Sequence, residues 1–473
     1  MKKIKITPSK IGGDIKIPPS KSMAHRAIIC AALSNGESRI RNIDFSDDII
    51  ATLEGMKALG AKIRVEKEEL IINGENIFRD SKEKKIDCNE SGSTLRFLVP
   101  ISLIKNNKVN FIGRGNLGKR PLNTYYDIFD KQGIKYSYKE GIMDLKIDGE
   151  LNGGEFKVKG NISSQFISGL LFTLPLLKED SKIIITTEME SKGYIDLTLS
   201  MMDKFGVKVL NNNYKEFIIK GNQEYKPRDY KVEGDYSQAA FYFSAGALGN
   251  PVTCLDLDLN SYQGDKECIE ILERMGCEVL INSFKSDKEV CENEFLKKEN
   301  ILYGCSYTIN NDFIDENTSL EKVKKEITNL NEIKREKIKI IGNNLKSTVI
   351  DASQCPDIIP VLTVVAALSS GETRIINGER LRIKECDRLH AIKTELNKLG
   401  ANIKELKDGL IINGVKEFHG GEVYSHKDHR IAMSLAIAST RCNGEVTIYE
   451  PDCVKKSYPS FWEDFKFLGG KFI

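Results

Sequence analysis

The chain has 473 residues, and its 70 Lys and Arg against 68 Asp and Glu give a formal net charge of +2. This length predicts two or three domains, and a composition of 40% hydrophobic and 29% charged residues excludes a disordered or fibrous chain. The near-zero charge argues against nucleic-acid binding driven by bulk electrostatics, but it does not exclude a small anionic substrate held by a few arginines.

Six strongly apolar helices are predicted along the chain, and each begins with polar residues that suit a helix N-terminus. In chain order their sequences are SKSMAHRAIICAAL, SGSTLRFLVPISLI, SSQFISGLLFTLPLL, DYSQAAFYFSAGAL, CPDIIPVLTVVAAL and DHRIAMSLAIAS. Beyond their first turns these helices are apolar nearly all round, which predicts burial on every side. Intervening segments such as KIRVEKEELIING carry many charges, as half-exposed strands do.

A second pattern recurs six times between these helices: an amphipathic helix ends in glycine, and an apolar residue then opens a strand. The glycines are Gly60, Gly133, Gly206, Gly276, Gly400 and Gly469. A glycine at this point fits a helix end that needs a positive φ. The spacing is about 70 residues, except that the interval from Gly276 to Gly400 is about 54 residues longer. The repeat predicts an α/β fold of two domains with three units each, in which sheets that face solvent surround buried helices.

The polar residues at the starts of the six buried helices are the candidate site. If each group of three helices runs parallel, two sets of positive helix ends face one cleft, which suits phosphate or carboxylate. The simpler interpretation is that these residues only cap their helices.

In the first half of the chain, Lys21, Ser22 and Arg26 fall within a turn and a half of one helix start. A solvated basic end is the simpler interpretation, but cations at a helix N-terminus oppose the helix dipole, and a bound anion would relieve that conflict. Further candidates in this half are Gly92 in ESGSTLR, Arg120 in GKRP, Ser163, Ser164 and Gln165 in SSQF, and Ser191 and Tyr194 in SKGYIDLT.

In the second half, Asp357 follows Pro in CPDIIP, where a capping carboxylate is the simpler interpretation. Lys384, Glu385 and Arg388 in IKECDRL could equally form a charged helix face. His429 and Arg430 begin an apolar helix, where a solvated arginine is hard to explain. Lys456 follows in VKKSYPSF.

No secretory signal or membrane span is predicted, because MKKIKITPSK has no apolar stretch behind it and the run Phe166 to Leu177 is too short. The 11 cysteines are scattered without a CxxC pair, which is typical of reduced thiols and not of a disulfide framework or a zinc site. We therefore expect a cytoplasmic protein that binds no metal.

Nine motifs together closely resemble the enolpyruvyl transferase family. In the family's order they are SKSMAHR, ESGSTLR, GKRP, GNISSQF, SKGYIDLT, PDIIP, IKECDRL, KDHRIAMS and VKKSYPSF. The resemblance covers nearly the whole chain outside residues 283–346. It implies a two-domain, inside-out α/β barrel of six βαβαββ units with buried parallel helices. The domains would be residues 1–20 plus 234–473, and residues 21–233, with the active site in the cleft between them.

The resemblance is to the branch that transfers the enolpyruvyl group of phosphoenolpyruvate to the 5-hydroxyl of shikimate 3-phosphate, in aromatic amino-acid biosynthesis. It implies no metal or organic cofactor, and two small-molecule substrates. Shikimate 3-phosphate would be held by Lys21, Ser22, Arg26, Ser163, Ser164, Gln165, Ser191, Tyr194, Asp357 and Lys384. Phosphoenolpyruvate would be held by Lys21, Gly92, Arg120, Gln165, Arg388, Arg430 and Lys456. The catalytic residues would be Asp357 as base, Glu385 as proton donor, and Lys21, His429 and Lys456.

Two alternatives stay open from the sequence. The sister branch that acts on UDP-N-acetylglucosamine has a Lys-Asn pair at Lys21-Ser22 and a cysteine before the Gly-x-Arg-Pro motif, and this chain has neither. A non-catalytic anion-binding protein of the same fold would not need Asp357, Glu385 and Lys456 together. We expect a monomer with neither a nucleic-acid nor a membrane partner.

Three features depart from the family pattern. Arg380 stands where some relatives have an Asn that contacts the shikimate phosphate, and it is left out of the predicted site. Phe97 stands where many relatives have Pro. Residues 283–346 are an insertion with 12 basic and 12 acidic residues, in which residues 321–341 could form a charged helix. A solvated appendage is the simpler interpretation of the insertion, and a lid, partner site or regulatory element is the alternative.

Overall fold

The computed structural model describes residues 2–66, 69–79, 83–105, 107–285 and 334–473. The helices in these residues are α1 Lys21–Leu33, α2 Asp47–Ala58, α3 Gly92–Ile101, α4 Asn123–Gln132, α5 Ser164–Thr173, α6 Lys192–Lys204, α7 Tyr236–Ala247, α8 Glu267–Arg274, α9 Ile359–Ala367, α10 Arg388–Lys398, α11 His429–Ser439 and α12 Phe461–Phe467. Short 3₁₀ turns cover Gly115–Lys119, Leu174–Leu176, Gly264–Lys266, Glu379–Ile383 and Pro451–Lys456.

The strands form four-stranded sheets. They are β1 Lys3–Thr7, β2 Gly13–Lys16, β3 Glu37–Arg41, β4 Lys62–Glu66, β5 Glu69–Asn73, β6 Lys84–Asp87, β7 Asn107–Ile112, β8 Lys135–Lys139, β9 Ile142–Gly149, β10 Gly154–Val158, β11 Ser181–Ile185, β12 Val209–Asn212, β13 Glu216–Ile219, β14 Asp229–Lys231, β15 Val252–Leu257, β16 Cys277–Lys285, β17 Lys334–Gly342, β18 Val349–Asp351, β19 Glu372–Ile376, β20 Asn402–Glu405, β21 Leu410–Asn413, β22 Gly421–Tyr424, β23 Val446–Tyr449 and β24 Lys471–Phe472.

The sheets repeat one topology, which confirms the predicted repeat. In the order β6-β7-β9-β8, the first pair is parallel and the next two pairs are antiparallel. The other orders are β14-β3-β5-β4, β10-β11-β13-β12, β2-β15-β17-β16, β18-β19-β21-β20 and β22-β23-β1-β24. All six repeat glycines have a positive φ, between 68° at Gly133 and 113° at Gly60. Each therefore ends its helix in the left-handed region, where a side chain would be strained.

The six apolar helices lie inside two separate hydrophobic cores, as their sequences predict. One core contains α1, α3 and α5 and draws its buried residues from positions 23–232. The other contains α7, α9 and α11 and draws on positions 6–17 and 236–468. We propose that each core is the centre of one domain, and that the domains are residues 1–20 plus 234–473 and residues 21–233.

The chain passes between the two cores twice, and the two passing segments lie side by side. Pro19 and Gly234 form an isolated antiparallel bridge. The Ser20 N–H donates to the Glu233 carbonyl at 2.7 Å, and the Asp235 N–H donates to the Pro18 carbonyl at 2.9 Å. Because α1 and α7 begin directly after these segments, their N-termini lie where the two cores meet.

The prediction of a charged helix over residues 321–341 is wrong at its C-terminal end. Residues 334–342 are strand β17, which pairs antiparallel with β16 from Cys277 opposite Gly342 to Lys285 opposite Lys334. The segment alternates Lys337, Ile338, Lys339 and Ile340, and its two isoleucines are buried, which is the two-residue period of a strand with one face on the core. The rest of the insertion, residues 286–333, lies outside the described residues.

Among the residues described, no helix is long and apolar enough to cross a membrane. The cysteines in the same ranges are all free thiols, and most of them are buried.

Candidate active site

A polar cavity lies between the two cores, and the N-termini of the buried helices point toward it. It is lined by Lys21, Ser22, Arg26, Asp48, Gly92, Ser93, Arg96, Phe97, Arg120, Ile162, Ser163, Ser164, Gln165, Tyr194, Asp357, Arg380, Ile383, Lys384, Glu385, Arg388, His429 and Arg430. Every predicted site residue is in this set except Ser191 and Lys456, and each of these two contacts a lining residue. The Ser191 hydroxyl accepts from Arg380 Nη1 at 2.9 Å, and Lys456 Nζ lies 3.7 Å from Glu385 Oε1.

Lys21 opens α1 and is paired with a carboxylate of the protein itself. The α1 N-cap is Ser20, whose hydroxyl accepts from the Met23 N–H. Lys21 Nζ donates to Asp48 Oδ2 at 2.8 Å, and Asp48 is buried at the start of α2. Burial raises the pKa of Asp48, but the charges of Lys21 and Lys456 outweigh it and leave this pKa below its ordinary value. An anionic substrate at Lys21 therefore competes with an internal carboxylate.

Arg26 is a buried cation held in place by neutral groups. Its Nε donates to Thr198 Oγ1 at 2.9 Å, and its Nη groups donate to the carbonyls of Ser22 and Tyr194 at 2.7 and 2.9 Å. Burial lowers its pKa to about 10. In the part of the chain that the structure describes, Arg26 forms no ion pair with a carboxylate, so its charge is available to an anion.

Asp357 turns into the cavity and does not cap its helix. The cap of α9 is Ile358, without a side-chain hydrogen bond, and the capping interpretation of Asp357 is therefore wrong. Its Oδ2 accepts from the Tyr194 hydroxyl at 2.8 Å, and its Oδ1 accepts from Lys384 Nζ at 3.2 Å and Arg388 Nη1 at 2.8 Å. Burial raises the pKa of this carboxyl, but Lys384 and Arg388 outweigh it and hold the pKa well below its ordinary value. Asp357 is thus a carboxylate at neutral pH.

Glu385 sits among three cations. Its Oε2 accepts from Arg388 Nη2 at 2.9 Å, and its Oε1 lies 3.1 Å from Arg120 Nη2. Burial raises the pKa of Glu385, but the positive charges around it outweigh burial and hold the pKa well below its ordinary value. The largest of these effects comes from Arg120, followed by Arg388 and Lys456. A proton donor must carry a proton, so Glu385 can fill that role only after a ligand has changed its surroundings.

Arg388 joins the two carboxylates and is itself fixed from behind. Its side chain is only 2% exposed, and its Nε donates to Asp428 Oδ2 at 2.8 Å. A guanidinium presents several donors in a rigid plane, so one side chain can hold Asp357, Glu385 and Asp428 together. The charged helix face that the sequence allowed for IKECDRL is therefore wrong at Arg388.

His429 and Arg430 begin α11, where Asp428 caps the helix by accepting from the Arg430 N–H at 2.8 Å. Burial, then Lys21 and Arg430, lower the pKa of His429 well below its ordinary value, so the imidazole is neutral at pH 7. Arg430 Nη1 donates to the Ser237 carbonyl at 3.0 Å, and its buried Nε has no hydrogen-bond partner among the described residues.

Gly92 and Gln165 shape the side of the cavity that faces α3 and α5. A Cβ at Gly92 would lie 2.6 Å from Arg120 Nη1, so glycine is needed for the close approach of this arginine. Gln165 accepts from Arg96 Nη1 at 2.7 Å and donates to Ser93 Oγ at 2.8 Å. Ser163 is the N-cap of α5, which agrees with the capping interpretation and still leaves Ser163 on the cavity wall.

Four polar residues on the cavity wall were not among the predicted site residues: Asp48, Ser93, Arg96 and Arg380. In the sequence, Asp48 looks like an ordinary acidic residue in the first turn of a helix. Arg96 is the last residue of the motif ESGSTLR, and the sequence assigns it no role. Asp265 is buried near Asp357, and its pKa is raised to about 7, by burial first and then by the Asp357 charge. No sequence pattern singles out Asp265, because its neighbours come from distant segments.

Comparison with known proteins identifies the family of this chain. Residues 6–302 and 301–465 match the family model described as EPSP synthase (3-phosphoshikimate 1-carboxyvinyltransferase). A relative named 3-phosphoshikimate 1-carboxyvinyltransferase from Clostridium perfringens is 71% identical over 470 residues, which are 99% of each chain. One of the same name from Clostridioides difficile is 58% identical over 482 residues, covering 100% of this chain and 98% of the relative. A solved EPSP synthase from Acinetobacter baumannii shares the fold, with a TM-score of 0.76 and 23% identity over the whole of both chains. The chain therefore belongs to the EPSP synthase family.

Proposed function

We propose that this chain transfers the enolpyruvyl group of phosphoenolpyruvate to the 5-hydroxyl of shikimate 3-phosphate, with release of phosphate. The product is 5-enolpyruvylshikimate 3-phosphate, an intermediate of the shikimate pathway to aromatic amino acids. Family membership supports the reaction. The observation that carries the assignment of residues is that one buried guanidinium, Arg388, donates to Asp357 at 2.8 Å and to Glu385 at 2.9 Å.

The reaction needs a base and an acid in the same closed space. Asp357 takes the proton of the 5-hydroxyl while the oxygen adds to C2 of phosphoenolpyruvate. Glu385 gives a proton to C3, which becomes a methyl group, and a tetrahedral adduct forms. The carboxylate of Glu385 then takes a proton back from that methyl group as phosphate leaves from C2, which restores the double bond. His429, neutral beside Glu385, is a polar neighbour of this proton transfer.

Phosphoenolpyruvate changes the charge balance around Glu385. We assign its anionic groups to Arg120, Arg388 and Lys456, the three cations that pair with Glu385. When substrate anions share these cations, the pKa of Glu385 rises toward values at which it can hold a proton. The same cations stabilise the departing phosphate. Gly92, Gln165, Lys21 and Arg430 complete this half of the proposed site.

Shikimate 3-phosphate occupies the other half of the proposed site. We assign its ring to Lys21, Arg26, Tyr194 and Lys384, with its 5-hydroxyl at Asp357. Its phosphate falls to the serines at the starts of two helices, where N–H groups and the helix dipole favour an anion. These serines are Ser163 and Ser164 at the start of α5 and Ser191 directly before α6. Ser22, in the first turn of α1, completes this half.

Assembly of this site from both cores implies that closure precedes chemistry. Tyr194 and Asp357 come from different cores, as do Arg120 and Glu385. Holding both substrates in one geometry can supply up to ~7–11 kcal/mol of the barrier. We further propose that the enzyme acts as a cytoplasmic monomer that needs no metal or organic cofactor.

One assay tests the function. Phosphate release is measured with phosphoenolpyruvate alone, with shikimate 3-phosphate added, and with UDP-N-acetylglucosamine added instead. We expect phosphate release only with shikimate 3-phosphate. Turnover with the nucleotide sugar would assign the chain to the sister activity, and binding without turnover of either pair would identify a non-catalytic protein.

A further inference from the structure

A chain of buried polar side chains joins α1, α2 and the start of α3. His25 Nδ1 lies 2.8 Å from Thr52 Oγ1, which lies 2.7 Å from Thr94 Oγ1. The Thr94 hydroxyl donates to Ser91 Oγ at 2.8 Å, and Ser91 is the N-cap of α3. Each of the four residues is at most 1% exposed, and none of them is on the wall of the cavity.

The direction of these hydrogen bonds assigns the state of His25. A threonine hydroxyl has one proton, and the Thr94 proton goes to Ser91. Thr52 therefore donates to Thr94 and accepts from His25 Nδ1. Burial lowers the pKa of His25 to about 3, so the ring is neutral and carries its proton on Nδ1. Its Nε2 is buried without a hydrogen-bond partner among the described residues, which destabilises the fold in a way that an apolar side chain would avoid.

The chain lies directly behind the ion pair at the starts of α1 and α2. Lys21 of α1 and Asp48 of α2 form this pair at 2.8 Å. His25 and Thr52 are each four residues further along the same two helices, and residues four apart lie on one helix face. Their hydrogen bond therefore repeats the ion pair one turn deeper. Two such contacts in register fix the rotation of the helices against each other as well as their separation.

The start of α3, to which the chain leads, approaches two guanidinium groups closely. Gly92 directly follows the N-cap, and a Cβ at Gly92 would lie 2.6 Å from Arg120 Nη1 and 3.3 Å from Arg96 Nη1. Arg120 is one of the cations that we assign to phosphoenolpyruvate. Because the approach is so close, a small shift of the α3 start changes the position of Arg120 or the space in front of it.

We propose that His25, Thr52 and Thr94 are positioning residues that hold the start of α3 at the phosphoenolpyruvate end of the site. They act through the α3 backbone on its spacing to Arg120, and they touch neither substrate. The proposal rests on the proposed function, since it concerns the half of the site that we assign to phosphoenolpyruvate. The simpler interpretation is that the chain only pairs polar groups in a core. That interpretation does not explain a histidine whose second ring nitrogen is left unpaired.

The test removes one link of the chain and leaves the cavity wall intact. Thr52→Val keeps the shape of the side chain and breaks both of its hydrogen bonds, whereas Thr52→Ser keeps them. Thr173→Val is the matched control, because Thr173 is buried in the same core and its hydroxyl donates to the Gly169 carbonyl of its own helix at 2.8 Å. Both KM values, kcat and the urea midpoint of unfolding are measured for each protein.

The expected result is a selective effect on one substrate. We expect Thr52→Val to raise KM for phosphoenolpyruvate on the order of 3- to 10-fold, with KM for shikimate 3-phosphate and kcat within about twofold of wild type. Thr52→Ser and Thr173→Val should keep all three values within about twofold of wild type.

His25→Leu separates positioning from stability. It removes the first donor of the chain together with the unpaired nitrogen, so the urea midpoint should stay unchanged or rise while KM for phosphoenolpyruvate rises as in Thr52→Val. An unchanged KM for phosphoenolpyruvate in both variants would overturn the proposal. Equal increases of both KM values, or failure of both variants to fold, would overturn it as well, because the chain would then serve only the fold. A wild-type protein that releases no phosphate would instead refute the proposed function.

Discussion

The substitution Asp357→Asn tests the central assignment with the smallest change of shape. The amide keeps an oxygen that can accept from the Tyr194 hydroxyl, now at 2.8 Å. It removes the negative charge that Lys384 and Arg388 contact at 3.2 and 2.8 Å. It also removes the basic carboxylate that we propose takes the 5-hydroxyl proton.

Two magnitudes follow from these contacts. Loss of a general base lowers kcat by about 10²- to 10⁴-fold, which is about 3–5 kcal/mol of barrier. Breaking a buried ion pair costs about 3–5 kcal/mol of unfolding free energy, and the low end applies because Arg388 keeps Glu385 and Asp428. Removal of one negative charge from the cleft also favours anion binding, so neither KM should rise more than a few-fold.

The assay is phosphate release at saturating substrates, together with urea unfolding of each protein. Asp351→Asn is the matched control, because Asp351 is exposed and its carboxylate accepts from the Ser353 N–H at 2.8 Å and from Asn377 Nδ2 at 2.9 Å, two residues that do not line the cavity. It should retain wild-type kcat. A folded Asp357→Asn protein with more than a tenth of wild-type kcat at pH 7 would refute the assignment of Asp357 as base.

Three further predictions follow from the site. Gly92→Ala should raise KM for phosphoenolpyruvate about tenfold with little loss of stability, because the new Cβ would meet Arg120 Nη1 at 2.6 Å; an unchanged KM would contradict that placement. The pKa values of Asp357 and Glu385 are lower in the folded protein than in the unfolded chain, where they are near ~4. These two carboxylates therefore stabilise the folded protein above pH ~4, and this stabilisation is lost as the pH falls. The unfolding free energy of Asp357→Asn should therefore fall less steeply between pH 5 and 3 than that of wild type, by up to ~1.4 kcal/mol per pH unit, and equal slopes would contradict the low pKa. Dialysis against a chelator should leave phosphate release unchanged, whereas loss that added divalent metal restores would disprove a cofactor-free mechanism.

The sequence predicts the large-scale architecture well, because the relevant signals are periodic. Glycines at a fixed spacing mark helix ends whose φ must be positive, and each buried helix is apolar on all faces. The strand Lys334–Gly342 was not predicted because its charged and apolar residues suit a charged helix as well as a half-exposed strand. Its pairing with Val252–Leu257 on one side and Cys277–Lys285 on the other decides between them.

The candidate site was predictable as a set of residue types and not as a set of contacts. Cations in the first turn of an apolar helix conflict with the helix dipole, and this conflict pointed to Lys21 and Arg26. Arg430 was singled out because a solvated arginine is hard to explain at the start of an apolar helix. The partner of Lys21 is Asp48, which belongs to a different helix and looks like an ordinary helix start. The orientation of Asp357 depends on Tyr194 from the other core, 163 positions away in the chain, and no local pattern carries such information.

The paired crossing segments at Pro19 and Gly234 also determine the order in which the chain can fold. The core that contains α1, α3 and α5 is built from one uninterrupted stretch, so its native contacts become available as soon as that stretch has been synthesised. Strand β1 must wait much longer, because its partners β23 and β24 come from the last part of the described chain. During synthesis, β1 therefore stays unpaired beside the finished core of α1, α3 and α5, and the other core closes last.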